Sequence, residues 1–184
     1  MNIATIKKFD IANGPGVRVS IFVSGCTHAC KNCFNKEAWD FNYGFKFTPQ
    51  VKEDIFESLN KSYIAGLSLL GGEPFEPENQ KGLVPFLEEF KKKFPNKNVW
   101  CYTGYTFEKD LLNKNDNTEK NYKSRAFCEF TPKMLEFIDV LVDGEFVEEL
   151  KNIRLKFRGS ENQRIIDVKQ SLAQNKTVLV KEYI

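Results

Sequence analysis

The stretch VRVSIFVSGCTHACKNC, residues 17–33, carries the strongest indication of the fold. Five of its first seven residues are β-branched or aromatic and a Ser-Gly pair follows them, which predicts a buried strand that runs directly into a loop. In a parallel sheet, a loop after a strand is where ligands bind. This loop places three thiols within eight residues. They belong to Cys26, Cys30 and Cys33.

The order of strand, loop and helix repeats along the chain. Strands are predicted at residues 17–23, 66–70, 98–102 and 138–142, and helices at 49–59, 86–94 and 131–137. This alternation indicates an α/β fold in which helices cover a parallel sheet. A full eight-unit barrel needs about 250 residues. A chain of 184 residues therefore predicts a partial, open parallel β/α barrel.

Length and composition predict a single domain over residues 1–184. The polar stretch 113–124 is interpreted as a surface insertion, and a C-terminal tail is expected from about residue 169. The net charge is only +2, which gives no reason to expect a nucleic-acid partner. No apolar run approaches the ~18 residues that span a bilayer. The first residues do not resemble a secretory signal, so we expect a cytoplasmic protein without a membrane partner.

Five cysteines in a reducing compartment favour metal binding over disulfides. Zinc is one alternative, since three cysteines and a histidine form a common zinc site. His28 is the sole histidine, but it lies only two residues from Cys26 and from Cys30, and closed zinc sites prefer wider spacing. A [4Fe–4S] cluster suits three thiolates better, because one iron then keeps an open position. Cys101 and Cys128 are interpreted as buried, inert thiols.

The cysteine loop and the turn at residues 71–74, Gly-Gly-Glu-Pro, resemble the radical S-adenosylmethionine superfamily. Segments 13–18, 100–105, 142–146 and 158–164 resemble, more narrowly, the family of activating proteins for the anaerobic ribonucleoside-triphosphate reductase. The resemblance covers about residues 1–168. The Arg-Gly-Ser-x-Asn-Gln part of the last segment is its most specific piece.

The resemblance implies a [4Fe–4S] cluster with three cysteine ligands and one open iron that chelates S-adenosylmethionine. It also implies two groups of cofactor contacts. The methionine amino group is bound by the turn residues Gly71, Gly72 and Glu73. Adenine is contacted by the backbone of Asn32, Cys33 and Phe34. The superfamily usually has an aromatic residue just before the third cysteine, where this chain has Asn32.

Thr103 and Asp143 follow the third and fourth predicted strands. In related activases, the matching strand ends help to hold the cofactor carboxylate through a monovalent cation. A capping or turn role is an equal alternative for both residues. Arg158 and Arg164 are interpreted as contacts to the cofactor or to the partner protein, or as solvated surface groups. No catalytic residue is expected beyond the cluster and the cofactor site.

The activity that the resemblance implies begins when flavodoxin or ferredoxin reduces the cluster. S-adenosylmethionine is then cleaved to methionine and a 5′-deoxyadenosyl radical, which removes hydrogen from a glycine of the reductase. One alternative is activation of pyruvate formate-lyase, or a radical reaction on a small molecule. A non-enzymatic alternative is a zinc-binding or electron-carrying module, which would not need the turn at residues 71–74.

Overall fold

A computed structural model describes residues 1–113 and 123–183 of the chain. Most of the predicted insertion at 113–124 lies outside the described residues. The described ranges contain a seven-stranded open sheet of order β3-β1-β2-β4-β5-β6-β7. The strands are β1 (Asn2–Asp10), β2 (Val17–Val23), β3 (Phe45–Lys46), β4 (Ile64–Gly71), β5 (Asn98–Tyr102), β6 (Val140–Asp143) and β7 (Arg164–Asp167).

The centre of the sheet is parallel and its flanks are antiparallel. Strands β2, β4, β5 and β6 run in one direction, whereas β1, β3 and β7 pair antiparallel with their neighbours. The helices are α1 (Pro49–Leu59), α2 (Pro77–Lys93), α3 (Thr131–Phe137) and α4 (Val168–Gln174). The α/β class and the parallel arrangement of the four predicted strands are thus confirmed.

The predicted bounds of β2, β5, α1 and α3 are confirmed. Helix α1 begins as its sequence indicates, because the Thr48 hydroxyl accepts a hydrogen bond from the Val51 N–H (3.3 Å) and Pro49 opens the first turn. Helix α2 ends at Lys93, one residue before the predicted end at Phe94, and it begins nine residues before the predicted start, at Pro77. Its first turns bury Asn79 and Gln80, so no apolar pattern marks them.

The two faces of the central strands belong to two hydrophobic clusters, as the period of two in a strand requires. In β5, Val99 and Cys101 lie in the large core with the apolar residues of α1, α2 and α3. Trp100 lies between them in sequence and packs on the opposite face with Val142 and Ile165. Burial raises the pKa of the Cys101 thiol well above its ordinary value, in agreement with its predicted inert role.

Arg18 joins three strands from within the sheet. Its guanidinium is fully buried and donates to the Ser68 hydroxyl (2.7 Å), to the Leu67 carbonyl (2.8 Å) and to the Asn98 side-chain oxygen (2.8 Å). Burial lowers the pKa of Arg18 to about 10, so the side chain stays charged at neutral pH. The interaction ties β2 to β4 and to the start of β5, and so fixes the strands whose far ends carry the candidate site.

A charged cluster fastens β6 and β7 to the segment after β5. Arg164 donates to both carboxylate oxygens of Asp143 and to both of Glu108, and the Thr177 hydroxyl donates to Glu108. Burial alone would raise the pKa of Glu108, but the hydrogen bonds from Arg164 and Thr177 outweigh it and lower the pKa to about 2.

This lowered pKa predicts a stability difference that depends on pH. The ordinary pKa is 4.5, so the Glu108 carboxylate stabilises the fold above pH 4.5, and the contribution is lost as the pH falls towards 2. We expect Glu108→Gln to lower the free energy of unfolding at neutral pH, and the difference from wild type to shrink between pH 4.5 and 2. Urea unfolding of the metal-free protein at several pH values measures it. A difference that stays constant over this range contradicts the prediction.

In the described part of the chain, none of the helices has both the length and the apolar character that crossing a bilayer requires.

Candidate active site

A cavity of about 600 Å³ lies at the carboxyl ends of β2, β4, β5 and β6. This volume is within the range of small-molecule sites in proteins. The structure brings to its wall every residue predicted for the cluster and cofactor except Asp143. Those residues are Cys26, Cys30, Asn32, Cys33, Phe34, Gly71, Gly72, Glu73 and Thr103.

The cysteine loop leaves β2 through a turn that only glycine fits. Gly25 has φ +96°, and a Cβ at this position would lie 2.3 Å from the Phe41 ring. The Gly25 N–H donates to the Ala38 carbonyl (2.8 Å) and the Cys26 N–H to the Trp39 carbonyl (3.2 Å), which closes the loop on itself. All three thiols are half-buried and line the same cavity.

Buried side chains at the start of α2 form hydrogen bonds with the cysteine loop. Glu76 accepts from both the N–H (2.9 Å) and the hydroxyl (2.6 Å) of Thr27, the residue after the first cysteine. The side-chain amide of Asn79 donates to the carbonyls of Ser24 (2.9 Å) and Glu73 (2.9 Å). These contacts explain why polar residues occupy the first turns of α2, and sequence reasoning did not find them because no motif marks them.

Glu73 is the hub of the site, in the sense that its carboxylate contacts three different segments of the chain. One carboxylate oxygen accepts from the Thr103 hydroxyl (2.8 Å) and the Phe75 N–H (2.9 Å). The other lies 2.9 Å from the His28 ring nitrogen and accepts from the Gly104 N–H (2.8 Å). The side chain is only 1% exposed. An ammonium bound directly by this carboxylate would have to compete with these four contacts.

The two glycines of the turn are needed for packing between loops. A Cβ on Gly71, which has φ +111°, would lie 2.7 Å from the Phe22 backbone. A Cβ on Gly72 would lie 2.6 Å from the Gly25 carbonyl oxygen. Gly71 thus keeps the turn in backbone contact with β2, and Gly72 keeps it in contact with the start of the cysteine loop. The absence of side chains also lets the backbone approach a ligand in the cavity.

His28 joins the cysteine loop to the end of β5. Besides its contact with Glu73, its ring packs on Tyr105 with centroids 4.3 Å apart. Burial alone would lower the pKa of His28, but the Glu73 carboxylate outweighs it and raises the pKa. This contact was not predictable from local sequence patterns, since residues 28 and 73 are far apart in the chain.

The thiols of Cys26 and Cys30 have raised pKa values, so neither is a reactive free nucleophile. Burial raises the pKa of Cys26 to about 12, and the nearby carboxylates of Glu73 and Glu76 add to the increase. Burial likewise raises the pKa of Cys30 to about 12, with a further contribution from Glu145. A thiolate therefore needs a positive partner here, and metal ions supply one because a coordinating thiol is deprotonated.

Thr103 and Asp143 have partners within the protein. The Thr103 hydroxyl donates to Glu73 and accepts from the Tyr105 N–H (3.1 Å). The Asp143 carboxylate binds Arg164 and accepts from the Phe107 N–H (2.9 Å), and its neighbour Gly144 lines the cavity in its place. These contacts match the turn and capping alternative, and a cofactor contact at either residue stays a prediction.

Three residues that line the cavity each have one buried side-chain polar atom without a hydrogen-bond partner among the described residues. These atoms are Trp39 Nε1, Tyr102 Oη and Arg158 Nε. Buried polar atoms are normally satisfied, so these three are exceptions. Because each of them is closed off from solvent, the fit of the cavity to a metal cluster rests on the half-buried thiols. None of the three was assigned to the cofactor from the sequence, although Arg158 was a weak candidate.

Across residues 1–113 and 123–183, no three His, Cys, Asp or Glu side chains converge closely enough to hold a single metal ion. The ligands of a [4Fe–4S] cube need not converge in this way, because each thiolate binds a different iron.

Comparison with known proteins agrees with this geometry. Residues 12–166 match the family model of the 4Fe-4S single cluster domain. The anaerobic ribonucleoside-triphosphate reductase-activating protein of Haemophilus influenzae is 38% identical over 167 residues, which cover 90% of this chain and 97% of that protein. The proteins of the same name from phage T4 and Escherichia coli K12 are 36% and 37% identical, and the matches cover 90% and 89% of this chain and 93% and 96% of theirs.

The chain belongs to the family of anaerobic ribonucleoside-triphosphate reductase-activating proteins. The match to the cluster domain spans the cysteine loop, the turn at Gly71 and Gly72, and the ends of β5 and β6. The residues that line the cavity thus lie within the match to the 4Fe-4S single cluster domain.

The hub role of Glu73 predicts a stability effect. In Glu73→Gln one acceptor oxygen becomes an amide that cannot accept, so at least one buried donor loses its partner. We expect a loss of about 1–3 kcal/mol in the free energy of unfolding. Urea unfolding of the metal-free protein measures it, with Glu57→Gln on the exposed face of α1 as the matched control. Equal stability of the two variants would show that Glu73 is not the hub.

Proposed function

We propose that the chain generates the glycyl radical of the anaerobic ribonucleoside-triphosphate reductase, by reductive cleavage of S-adenosylmethionine at a [4Fe–4S] cluster. The observation that carries the proposal is that three half-buried thiols share one cavity with the glycine turn of β4. The names of the relatives support the choice of target.

In this proposal Cys26, Cys30 and Cys33 hold the cluster and leave one iron open. When bound and reduced, the cluster supplies the electron that cleaves S-adenosylmethionine into methionine and a 5′-deoxyadenosyl radical. The chain's own residues orient the reactants and exclude water. The backbone of the turn at Gly71 and Gly72 receives the methionine amino group, while Glu73 keeps that turn in place.

The remaining contacts follow from the shape of the cavity. Residues 32–34 line the cavity from the cysteine loop, and we assign their backbone to adenine. Tyr102 and Arg158 line the same cavity, and we assign their side chains to the polar groups of the cofactor. The apolar lining, which includes Leu70, Phe146 and Phe157, limits the access of water to a reactive intermediate.

In this proposal the sheet is a partial, open barrel of the radical S-adenosylmethionine type. The chain then forms a single domain with a surface insertion at 113–124. A flavodoxin or ferredoxin delivers the electron, and the reaction takes place in the cytoplasm. Activation of pyruvate formate-lyase is the second candidate, since the same cavity would serve it. The Arg-Gly-Ser-x-Asn-Gln segment at 158–163 favours the reductase.

The decisive assay is anaerobic and uses the whole chain. After reconstitution with iron and sulfide, reduction, and addition of S-adenosylmethionine and the reductase, we expect 5′-deoxyadenosine and a glycyl radical signal on the reductase. The absence of 5′-deoxyadenosine would contradict the radical chemistry. Its presence without a radical on the reductase would contradict only the choice of target.

The ligand assignment has a matched test within the same chain. Cys30→Ala should lose the brown colour of the cluster and the formation of 5′-deoxyadenosine, because one of three ligands is gone. Cys128→Ala should keep both, since Cys128 does not line the cavity. Iron and sulfide per protein and the visible absorbance measure the outcome. A coloured Cys30→Ala protein would refute the ligand set.

Docking of the reductase can be tested at the cavity mouth. A glycine on a polypeptide can reach the cavity only if that polypeptide crosses the mouth, where Phe34 (88% exposed) and Ile153 (93% exposed) present apolar side chains. We expect Ile153→Ser to raise the reductase concentration for half-maximal radical formation roughly fivefold or more. Ile11→Ser is the control, because Ile11 is 75% exposed but does not line the cavity. The same increase in both variants would contradict docking at the mouth.

A further inference from the structure

Two carboxylates reach the cysteine loop from the connection between β4 and α2. Glu73 does so through His28, and Glu76 does so through Thr27. The Glu76 residue is only 5% exposed, and one of its oxygens accepts two hydrogen bonds from the residue that directly follows Cys26. None of the segments that carry the family resemblance includes Glu76.

We propose that Glu76 is a positioning residue for the cysteine loop whose buried negative charge also lowers the reduction potential of the cluster. The proposal rests on the proposed function, since it requires the cluster to be held by Cys26, Cys30 and Cys33. It goes beyond that function because it gives the potential a cause in this chain.

The positioning part follows from the hydrogen bonds. The Thr27 N–H and hydroxyl are both directed at the same oxygen, so the backbone immediately after Cys26 is fixed relative to α2. Asn79, one turn further along α2, holds the residue at the other side of the loop entrance through the Ser24 carbonyl. Residues on both sides of Cys26 are therefore hydrogen-bonded to the start of α2.

The electrostatic part follows from the nature of these donors. Among the described residues, the hydrogen bonds to the Glu76 carboxylate come from a backbone amide and a hydroxyl, and neither donor carries a positive charge. Reduction adds a negative charge to the cluster, and a nearby buried carboxylate disfavours that step more strongly than a carboxylate in water would.

A purely structural role would use only the acceptor oxygen of Glu76. Glu76→Gln separates the two roles, because its side-chain oxygen can still accept both hydrogen bonds from Thr27 while the charge is removed. Glu78→Gln is the matched control, since Glu78 is exposed in the first turn of the same helix and loses the same charge.

The experiment is a redox titration of the reconstituted full chain without S-adenosylmethionine, followed by electron paramagnetic resonance of the reduced cluster. Each curve is normalised to its own fully reduced signal, so a lower cluster content does not change the midpoint. We expect the midpoint of Glu76→Gln to shift to a more positive potential than wild type, and that of Glu78→Gln to stay close to wild type.

Two outcomes would overturn the proposal. In one, Glu76→Gln and Glu78→Gln have the same midpoint. In the other, Glu76→Asp, which keeps the charge but shortens the side chain, shifts the midpoint as far as Glu76→Gln does. Failure of the proposed function looks different. If the cysteine loop holds no cluster, wild type gives no signal to titrate; if the cluster does not cleave S-adenosylmethionine, 5′-deoxyadenosine is absent from the anaerobic assay whatever the midpoints are.

Discussion

The candidate site depends on one buried carboxylate that joins three segments of the chain. Glu73 accepts from its own turn, from the end of β5, and lies within hydrogen-bond distance of the ring of His28 in the cysteine loop. A buried carboxylate is costly unless it is fully satisfied. The four contacts meet that requirement only when all three segments are in place, so the shape of the cavity follows from satisfying this one group.

The rest of the architecture brings these segments together. Four parallel strands end at the same edge of the sheet. Away from that edge, hydrogen bonds from the buried Arg18 of β2 join this strand to β4 and β5. The pKa values of the Cys26 and Cys30 thiols are raised, so these two residues become thiolates only with a positive partner. Family and geometry therefore agree on a 4Fe-4S cluster domain whose three-cysteine loop lines the cavity.

Much of this site was predictable from the sequence because its residues belong to short, continuous motifs. The cysteine spacing, the glycine turn and the buried strand before each of them can be read within windows of ten residues, and the structure places all of these residues on one cavity. The predicted bounds of β2 and β5 are confirmed because each strand is a short apolar run with clear ends.

What the sequence did not reveal depends on contacts between distant residues. The pairs His28 with Glu73 and Thr27 with Glu76 are separated by 45 and 49 residues, and no local pattern encodes them. The early start of α2 was missed because Asn79 and Gln80 are buried by hydrogen bonds and not by apolar character. The antiparallel strands β1 and β7 were missed because polar residues interrupt their apolar pattern.

The central claim is that the three-cysteine loop leaves an iron open to S-adenosylmethionine at the turn of β4. Electron–nuclear double resonance of the reduced cluster tests it directly, with S-adenosylmethionine labelled by ¹⁵N at the amino group and by ¹³C at the carboxylate. The account predicts hyperfine couplings from both labels, because both groups would bind the same iron. A spectrum without coupling to either label, under conditions in which the cofactor is bound, would contradict it.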